Sequence, residues 1–357
     1  MAEATAHRDM RDIDDTASER QRRARPFVAA WLIAIAGLIL AMVVVGGATR
    51  LTDSGLSITE WQPLLGAIPP LSEGAWHDAF EKYRQIPQYQ LLNKGMSLEE
   101  FQFIYWWEWA HRFLGRFVGL VFFVPFVFFL ATGRLERRFV PHLAAIFVLG
   151  GLQGALGWFM VMSGLTERTS VSQYRLAAHM GLAVALFGYV WWMALQIGRE
   201  ARGALARNAT ARRAVLLAGA IYLQVILGAF VAGLDAGMGY NTWPLMDGAL
   251  VPGGLFVMSP WWINLFENAM TVQFDHRVLA YLIAALALAH WVLSGRAGRG
   301  AGGAAAILLI VLAQAGLGIW TLLAQVPLAL GLLHQAGAMV LFAAALWHLH
   351  AVSGARP

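Results

Sequence analysis

The sequence predicts an all-α protein that crosses a membrane eight times, folded as two pseudo-symmetric four-helix bundles with both termini in the cytoplasm. Three observations predict it. The 357-residue chain is 59% hydrophobic and only 13% charged, with a mean hydropathy of +0.58, too apolar for an ordinary soluble protein. Apolar runs long enough to cross a hydrocarbon core of about 30 Å recur along the whole length. Motifs in the first half return, in the same order, in the second.

Residues 1–26 read as a cytoplasmic tail. They hold no apolar h-region, so the first span acts as its own insertion signal, and Asp12, Asp14, Asp15 and Glu19 argue against a mitochondrial transit peptide. Spans follow at 27–47, 109–130, 140–162 and 176–197, with an outer loop at 48–105; together 27–197 form the N-terminal bundle. A basic linker at 198–213 leads to the C-terminal bundle, 214–350, with spans at 214–233, 272–293, 304–324 and 328–349. Helix is the element because a continuous apolar run in lipid satisfies its own backbone groups only that way.

Orientation comes from the basic residues. Arg8, Arg11, Arg20, Arg22, Arg23 and Arg25 precede the first span, and Arg134, Arg137, Arg138, Arg199, Arg202, Arg207, Arg212, Arg213, Arg296, Arg299 and Arg356 fall on the same side. That is well over half of the 26 Lys and Arg, and it makes this side cytoplasmic. The net charge of +5 therefore reports topology and gives no case for nucleic acid. The compartment expected is a bacterial inner membrane. The chain has no cysteine, which excludes structural disulfides, thiolate-ligated clusters and covalent C-x-x-C-H heme attachment.

The repeat fixes the candidate site. His111-Arg112 in "EWAHRFLGR" corresponds to His276-Arg277 in "QFDHRVLAY", and His179 in "AAHMGLAVALF" to His334 in "LLHQAGAMVLF". Between the members of each pair stands a Gln-x-x-Leu-Gly element, Gln153 to Gly157 and Gln314 to Gly318. The outer loops echo too: "GLSITEWQPLLGAIPP" (55–70) against "GMGYNTWPLMDGALVP" (237–252). An imidazole inside a span is a functional-site candidate by default. Two pairs, all toward the outer ends of their spans, point to two metal-centred cofactors, most simply one heme held between helices in each bundle. Zinc is the weaker rival because two His per bundle lack its further ligands. His142, His290, His348 and His350 lie near the cytoplasmic ends of spans and read as interfacial or hydrogen-bonded residues; His7 and His77 read as aqueous.

The halves differ at one place. Glu108 stands three residues before His111, whereas Gln273 stands three before His276. On a helix that spacing shares a face, so Glu108 is expected to point toward whatever His111 binds and to serve as a general base, which Gln273 cannot. One bundle is thus expected to do chemistry and the other to hold a permanent redox group.

The runs "VVVGGATRLTDSGLSITEWQPLLGAIPP" (43–70), "EWAHRFLGR" (108–116), "AGLDAGMGYNTWPLMDG" (232–248), "FDHRVLAY" (274–281) and "LLHQAGA" (332–338) resemble the heme A synthase family, with similarity from about residue 27 to 350. The resemblance implies oxidation of the C8 methyl of heme O to a formyl group, giving heme A for terminal oxidases. It implies a heme b cofactor ligated by His276 and His334, substrate heme facing His111 and His179, and Glu108 as the essential carboxylate. Lacking the outer-loop cysteines of some members, the chain is similar to the cysteine-free, alphaproteobacterial and mitochondrial-like branch.

With both axial positions of the substrate filled by His111 and His179, iron cannot readily bind oxygen. Electron withdrawal followed by water attack at the methyl carbon fits better. Arg112 and Arg277, near the outer boundary, are candidates for heme propionates, with Arg50, Arg116 and Arg175 further ones. Expected partners are heme O, heme O synthase, oxidase assembly factors, lipid and a second copy in a homo-oligomer. Two other functions use the same histidines: a cytochrome b-like two-heme electron carrier and a heme-handling transporter. Neither needs the Glu108/Gln273 difference.

Overall fold

In a computed structural model, described for residues 2–63, 65–166, 168–199, 208–298 and 300–353 with side chains from residue 18, eight helices are long and apolar enough to cross a membrane. The chain is all-helical through its ordered elements. Helix α1 (Ala2–Leu51) is followed by two short outer helices, α2 (Glu73–Tyr83) and α3 (Pro87–Leu91). Then come α4 (Leu98–Ala131), α5 (Val140–Leu165) and α6 (Gln173–Gly198). The second half holds α7 (Ala209–Gly233), the short α8 (Asn264–Glu267), α9 (Ala269–Arg296), α10 (Ala301–Leu323) and α11 (Leu328–Ser353).

The expected spans fall inside these helices, except that α10 ends at Leu323, one residue short of the expected 324; α4 begins eleven residues before the hydropathic run at 109. Its start is set by a capping box: Ser97 Oγ accepts the Glu100 N–H at 3.2 Å, and Glu100 Oε2 accepts the Ser97 N–H at 2.8 Å. The extra turns are aromatic. Phe101 stacks on Phe80 of α2, and Tyr83, Tyr89 and Tyr105 complete a small core that fixes the outer loop on α4. Gln88 Nε2 donates to the Asp53 carbonyl at 3.0 Å, tying that core to the end of α1. The linker is shorter than expected, since α7 starts at Ala209, with Asn208 Oδ1 accepting the Ala211 N–H at 2.7 Å. The side chains of residues 1–17, and Arg202, Arg207, Arg299 and Arg356, lie outside the described residues.

α1 packs on α4 and α6, and α5 closes the set against α4 and α6. α7, α9, α10 and α11 form a closed ring, each touching its two neighbours. The two sets meet where α6 lies on α7 and where α11 lies on α1 and α6. One apolar core runs through both, including Leu32, Ile35, Leu143, Val190, Leu217, Ile221 and Ala287. Between helices in lipid, close van der Waals fit replaces the hydrophobic effect as the driving force. Gly188 shows it: a Cβ there would sit 2.9 Å from the Phe342 ring of α11.

Candidate functional site

Each of the four histidines lies on a glycine of the neighbouring helix. His111 of α4 faces Gly46 of α1, His179 of α6 faces Gly157 of α5, His276 of α9 faces Gly228 of α7, and His334 of α11 faces Gly318 of α10. A Cβ added to these glycines would stand 2.8, 2.9, 3.2 and 2.7 Å from the respective imidazole Cε1. The glycines approach the C-terminal ends of α1, α5, α7 and α10, while the histidines occupy the N-terminal parts of α4, α6, α9 and α11. All four contacts therefore sit at one end of the molecule, the end that carries the loops 52–97 and 234–268.

The His276 and His334 rings are 6.5 Å apart, centroid to centroid. A shared metal with bonds of about 2 Å to each nitrogen, plus two ring radii of roughly 1 Å, needs about 6 Å. The pair thus has a spacing that one metal ion between the rings would fit. His111 and His179 are electrostatic neighbours in the other half. The His111 Nδ1 is buried without a hydrogen-bond partner, an orphaned donor-acceptor of the kind a ligand site leaves.

A glutamine also grips three of the four. Gln153, Gln224 and Gln314 stand one helical turn before Gly157, Gly228 and Gly318. Their Nε2 donates to the main-chain carbonyls of His179, His276 and His334 at 3.0, 2.9 and 2.7 Å. The same atom lies 3.1 Å from each Nδ1. The sequence pattern Gln-x-x-Leu-Gly singled out Gln153 and Gln314 but missed Gln224, although "QVILG" (224–228) fits the same template.

Glu108 is 2% exposed and does not meet water. Its Oε2 accepts the Ser57 hydroxyl at 2.8 Å and the Ile58 N–H at 2.7 Å. Its Oε1 accepts Arg112 Nε at 3.0 Å and Nη2 at 2.6 Å. A carboxylate has about four acceptor positions, and all are filled. Through these contacts Glu108 also holds the outer loop against α4. Gln273 does the same with reversed polarity: its Nε2 donates to the carbonyls of Ala236 and Gly239 at 2.6 and 2.8 Å, and its Oε1 accepts Arg277 Nη2 at 2.7 Å.

The arginines are engaged as well. Arg112 donates to the carbonyls of Ile58 and Glu60, and Arg277 to those of Tyr240 and Thr242, which are the corresponding positions of the two echoing loops. Arg116 holds Pro63 and Gln62, Arg175 holds Phe159, and Arg50 bridges the halves through Asp235 Oδ1 at 2.6 Å and Ala232 O at 3.0 Å. Propionate pairing therefore requires these donors to leave carbonyls they already serve. Buried Arg277 Nε and Arg116 Nη1 remain without partners.

His290, His348 and His350 are buried, at 1%, 2% and 4% exposure, so of the two readings the interfacial one does not hold for them. His290 and His348 hydrogen-bond Nε2 to Nε2 at 2.9 Å, and His142 Nδ1 pairs with Tyr189 Oη at 2.7 Å.

Eight spanning helices that carry two sets of glycine-backed histidines to one end define a multi-pass membrane protein with a paired-imidazole site in its helical bundle. A family model described as cytochrome oxidase assembly protein matches residues 29–346. A heme A synthase of Parvibaculum lavamentivorans is 58% identical over 325 residues, covering 90% of this chain and 93% of the relative. Heme A synthases of Chelativorans sp. and Sinorhizobium fredii are 52% and 50% identical, covering 95% and 99% of this chain and 95% and 97% of their own lengths. The chain belongs to the heme A synthase family.

Proposed function

We propose that the protein oxidises the C8 methyl of heme O to a formyl group, as an oxidoreductase of heme A biosynthesis. The relatives' shared name supports the product, and the single observation that carries the division of labour is the repeated histidine–glycine contact with a carboxylate in one half only. His111 and His179 face the substrate heme; His276 and His334 are spaced to hold a heme b cofactor. That cofactor, when bound, supplies one-electron redox chemistry.

Converting a methyl to a formyl group with oxygen from water releases four electrons and four protons, so each turnover requires an external electron acceptor that takes all four electrons. Among the described residues Glu108 is the only carboxylate gripping this end of α4 from inside, and Ser57, hydrogen-bonded to it, can hand a proton to Oε2 while accepting another. Accepting that proton weakens the pair with Arg112 and frees one of the loop contacts. The glycines let the imidazoles stand close to the helices, and the outer loops cover the histidine end from water. Both termini lie in the cytoplasm and the histidine end faces the periplasm of a bacterial inner membrane. A heme O synthase supplies the substrate and oxidase assembly factors take the product.

Expression with a source of heme O, followed by acid–acetone extraction and mass analysis of the hemes, tests the reaction. Heme A is expected. Heme O returned unchanged, with two hemes still bound, supports the electron carrier or transporter instead.

A further inference from the structure

The two bundles differ just below their histidines. Inward from the glycine that meets His334, the bundle face of α10 reads Gly318, Gln314, Val311 and Ile307. The same register on α5 reads Gly157, Gln153, Gly150 and Ile146. At about 100° per residue, each set of four lies within roughly 60° around its helix. Val311, Ile307 and Ile146 are buried, at 3%, 2% and 3% exposure. Gly150 stands in the same row, yet no atom lies within 4 Å of a Cβ built on it.

The opening continues between α4 and α5. Gly151 and Gly154 of α5 and Gly119 of α4 also have nothing within 4 Å of a Cβ. Gly119 lies one turn outward of Phe122 and Phe123 and between them in angle, and both rings pack on Phe147 of α5, at 6.2 and 5.2 Å between centroids. Those three rings close the opening toward the cytoplasm, and Trp61 stacked on Trp158 at 5.8 Å stands at its outer end. In the second half α9 and α10 pack more closely, with Ala284 and Ala315 at the places of Gly119 and Gly154. Among the eight spans α5 is the least buried. A glycine in a span ordinarily lets a neighbouring helix approach, but these four admit none. A separate observation points to a ligand. Gln153, one residue from Gly154, spends its Nε2 on the His179 carbonyl and keeps Oε1 buried without a partner, whereas the Oε1 of Gln314 lies against Gly337 of α11.

We propose that the opening at Gly150, between α4 and α5, is the subsite for the isoprenoid chain of the substrate heme, and that Gly150 against Val311 decides which bundle accepts a heme bearing such a chain. This rests on heme O being the substrate of the first bundle. Heme O carries a hydroxyl-bearing farnesyl chain where heme b has a vinyl group. The chain needs a way out of the bundle that the cofactor does not, and the hydroxyl at its root is a donor for Gln153 Oε1. An apolar chain gains little by exchanging lipid for an apolar slot, so the subsite selects by exclusion. Val311 fills with a branched side chain the place that Gly150 leaves open.

Gly150→Val tests it by giving the first bundle the residue of the second. The full-length protein in detergent, with heme b in its C-terminal pocket, is titrated separately with heme O and with further heme b, and filling of the first pocket is followed by the low-spin difference spectrum. Gly150→Val should weaken heme O binding by about 10–200-fold, the range for added bulk in an apolar pocket, and leave the binding of the chain-free heme b there unchanged. Gly119→Val narrows the same opening from α4, should act in the same direction, and stands in if Gly150→Val does not fold. Undiminished heme O affinity in a folded variant overturns the proposal, as does equal weakening for both hemes, which is the mark of a merely structural role. A wild type whose first pocket takes up neither heme overturns the substrate reading itself, and this proposal with it.

Discussion

Ile58 gives its main-chain N–H to Glu108, 2.7 Å from N to Oε2, at the place where the other half turns main-chain carbonyls toward Gln273. The outer loop of the first half presents donors, Ile58 N–H and the Ser57 hydroxyl; that of the second presents acceptors, Ala236 and Gly239. An acid suits the first and an amide the second. The Glu/Gln difference thus has a structural cause, and the catalytic role proposed for Glu108 acts through a group that also holds the loop.

Gln273→Glu should be destabilising for this reason. A carboxylate would face two carbonyl oxygens without the two donors that Gln273 supplies, and leaving buried groups unmatched costs about 1–3 kcal/mol each. Thermal unfolding in detergent should show a lowered midpoint. The variant should still fail to oxidise the C-terminal heme. An unchanged midpoint would mean that the second loop is not held through Gln273.

The glycine contacts make a graded prediction. Alanine at Gly318 or Gly46 puts a Cβ within 2.8 Å of an imidazole carbon, whereas at Gly228 the gap is 3.2 Å. Overpacking of this kind costs about 1–3 kcal/mol and displaces the ring. Gly318→Ala should therefore disturb the low-spin heme b spectrum more than Gly228→Ala, and His334→Ala should abolish it. Equal spectra in all three variants would remove His334 from the ligand set.

His348→Ala should lower stability without touching the heme spectra. It leaves the buried His290 Nε2 unpaired, at a cost of about 1–3 kcal/mol, far along α11 from His334. His142→Ala, whose partner Tyr189 lies at a more exposed site, should cost less. A heme spectrum altered by His348→Ala would show that the two ends of the C-terminal helices are coupled.

The spans and four histidines could be read in the sequence because apolar length and repeated order are local signals. The early start of α4 was legible too, since Ser97 and Glu100 form an S-x-x-E box, but the hydropathy of 98–108 hid it. Other features arise only in three dimensions. Which loop group meets Glu108 depends on main-chain direction in 55–63, which carries no pattern. The pairing of His290 with His348 depends on how α9 and α11 cross, which terminal position alone does not give.

The most direct test of the functional account is Glu108→Gln with both hemes quantified. Glutamine keeps the shape, but its amide end cannot accept the Ile58 N–H and weakens the Arg112 pair, so some loosening of the outer loop accompanies loss of the base. The account predicts folded protein with a normal heme b spectrum, heme O or a partly oxidised heme retained, and heme A output reduced by about 10²–10⁴-fold, the usual range for a lost general base. Near-normal heme A from Glu108→Gln would contradict it, leaving Glu108 as a loop anchor alone.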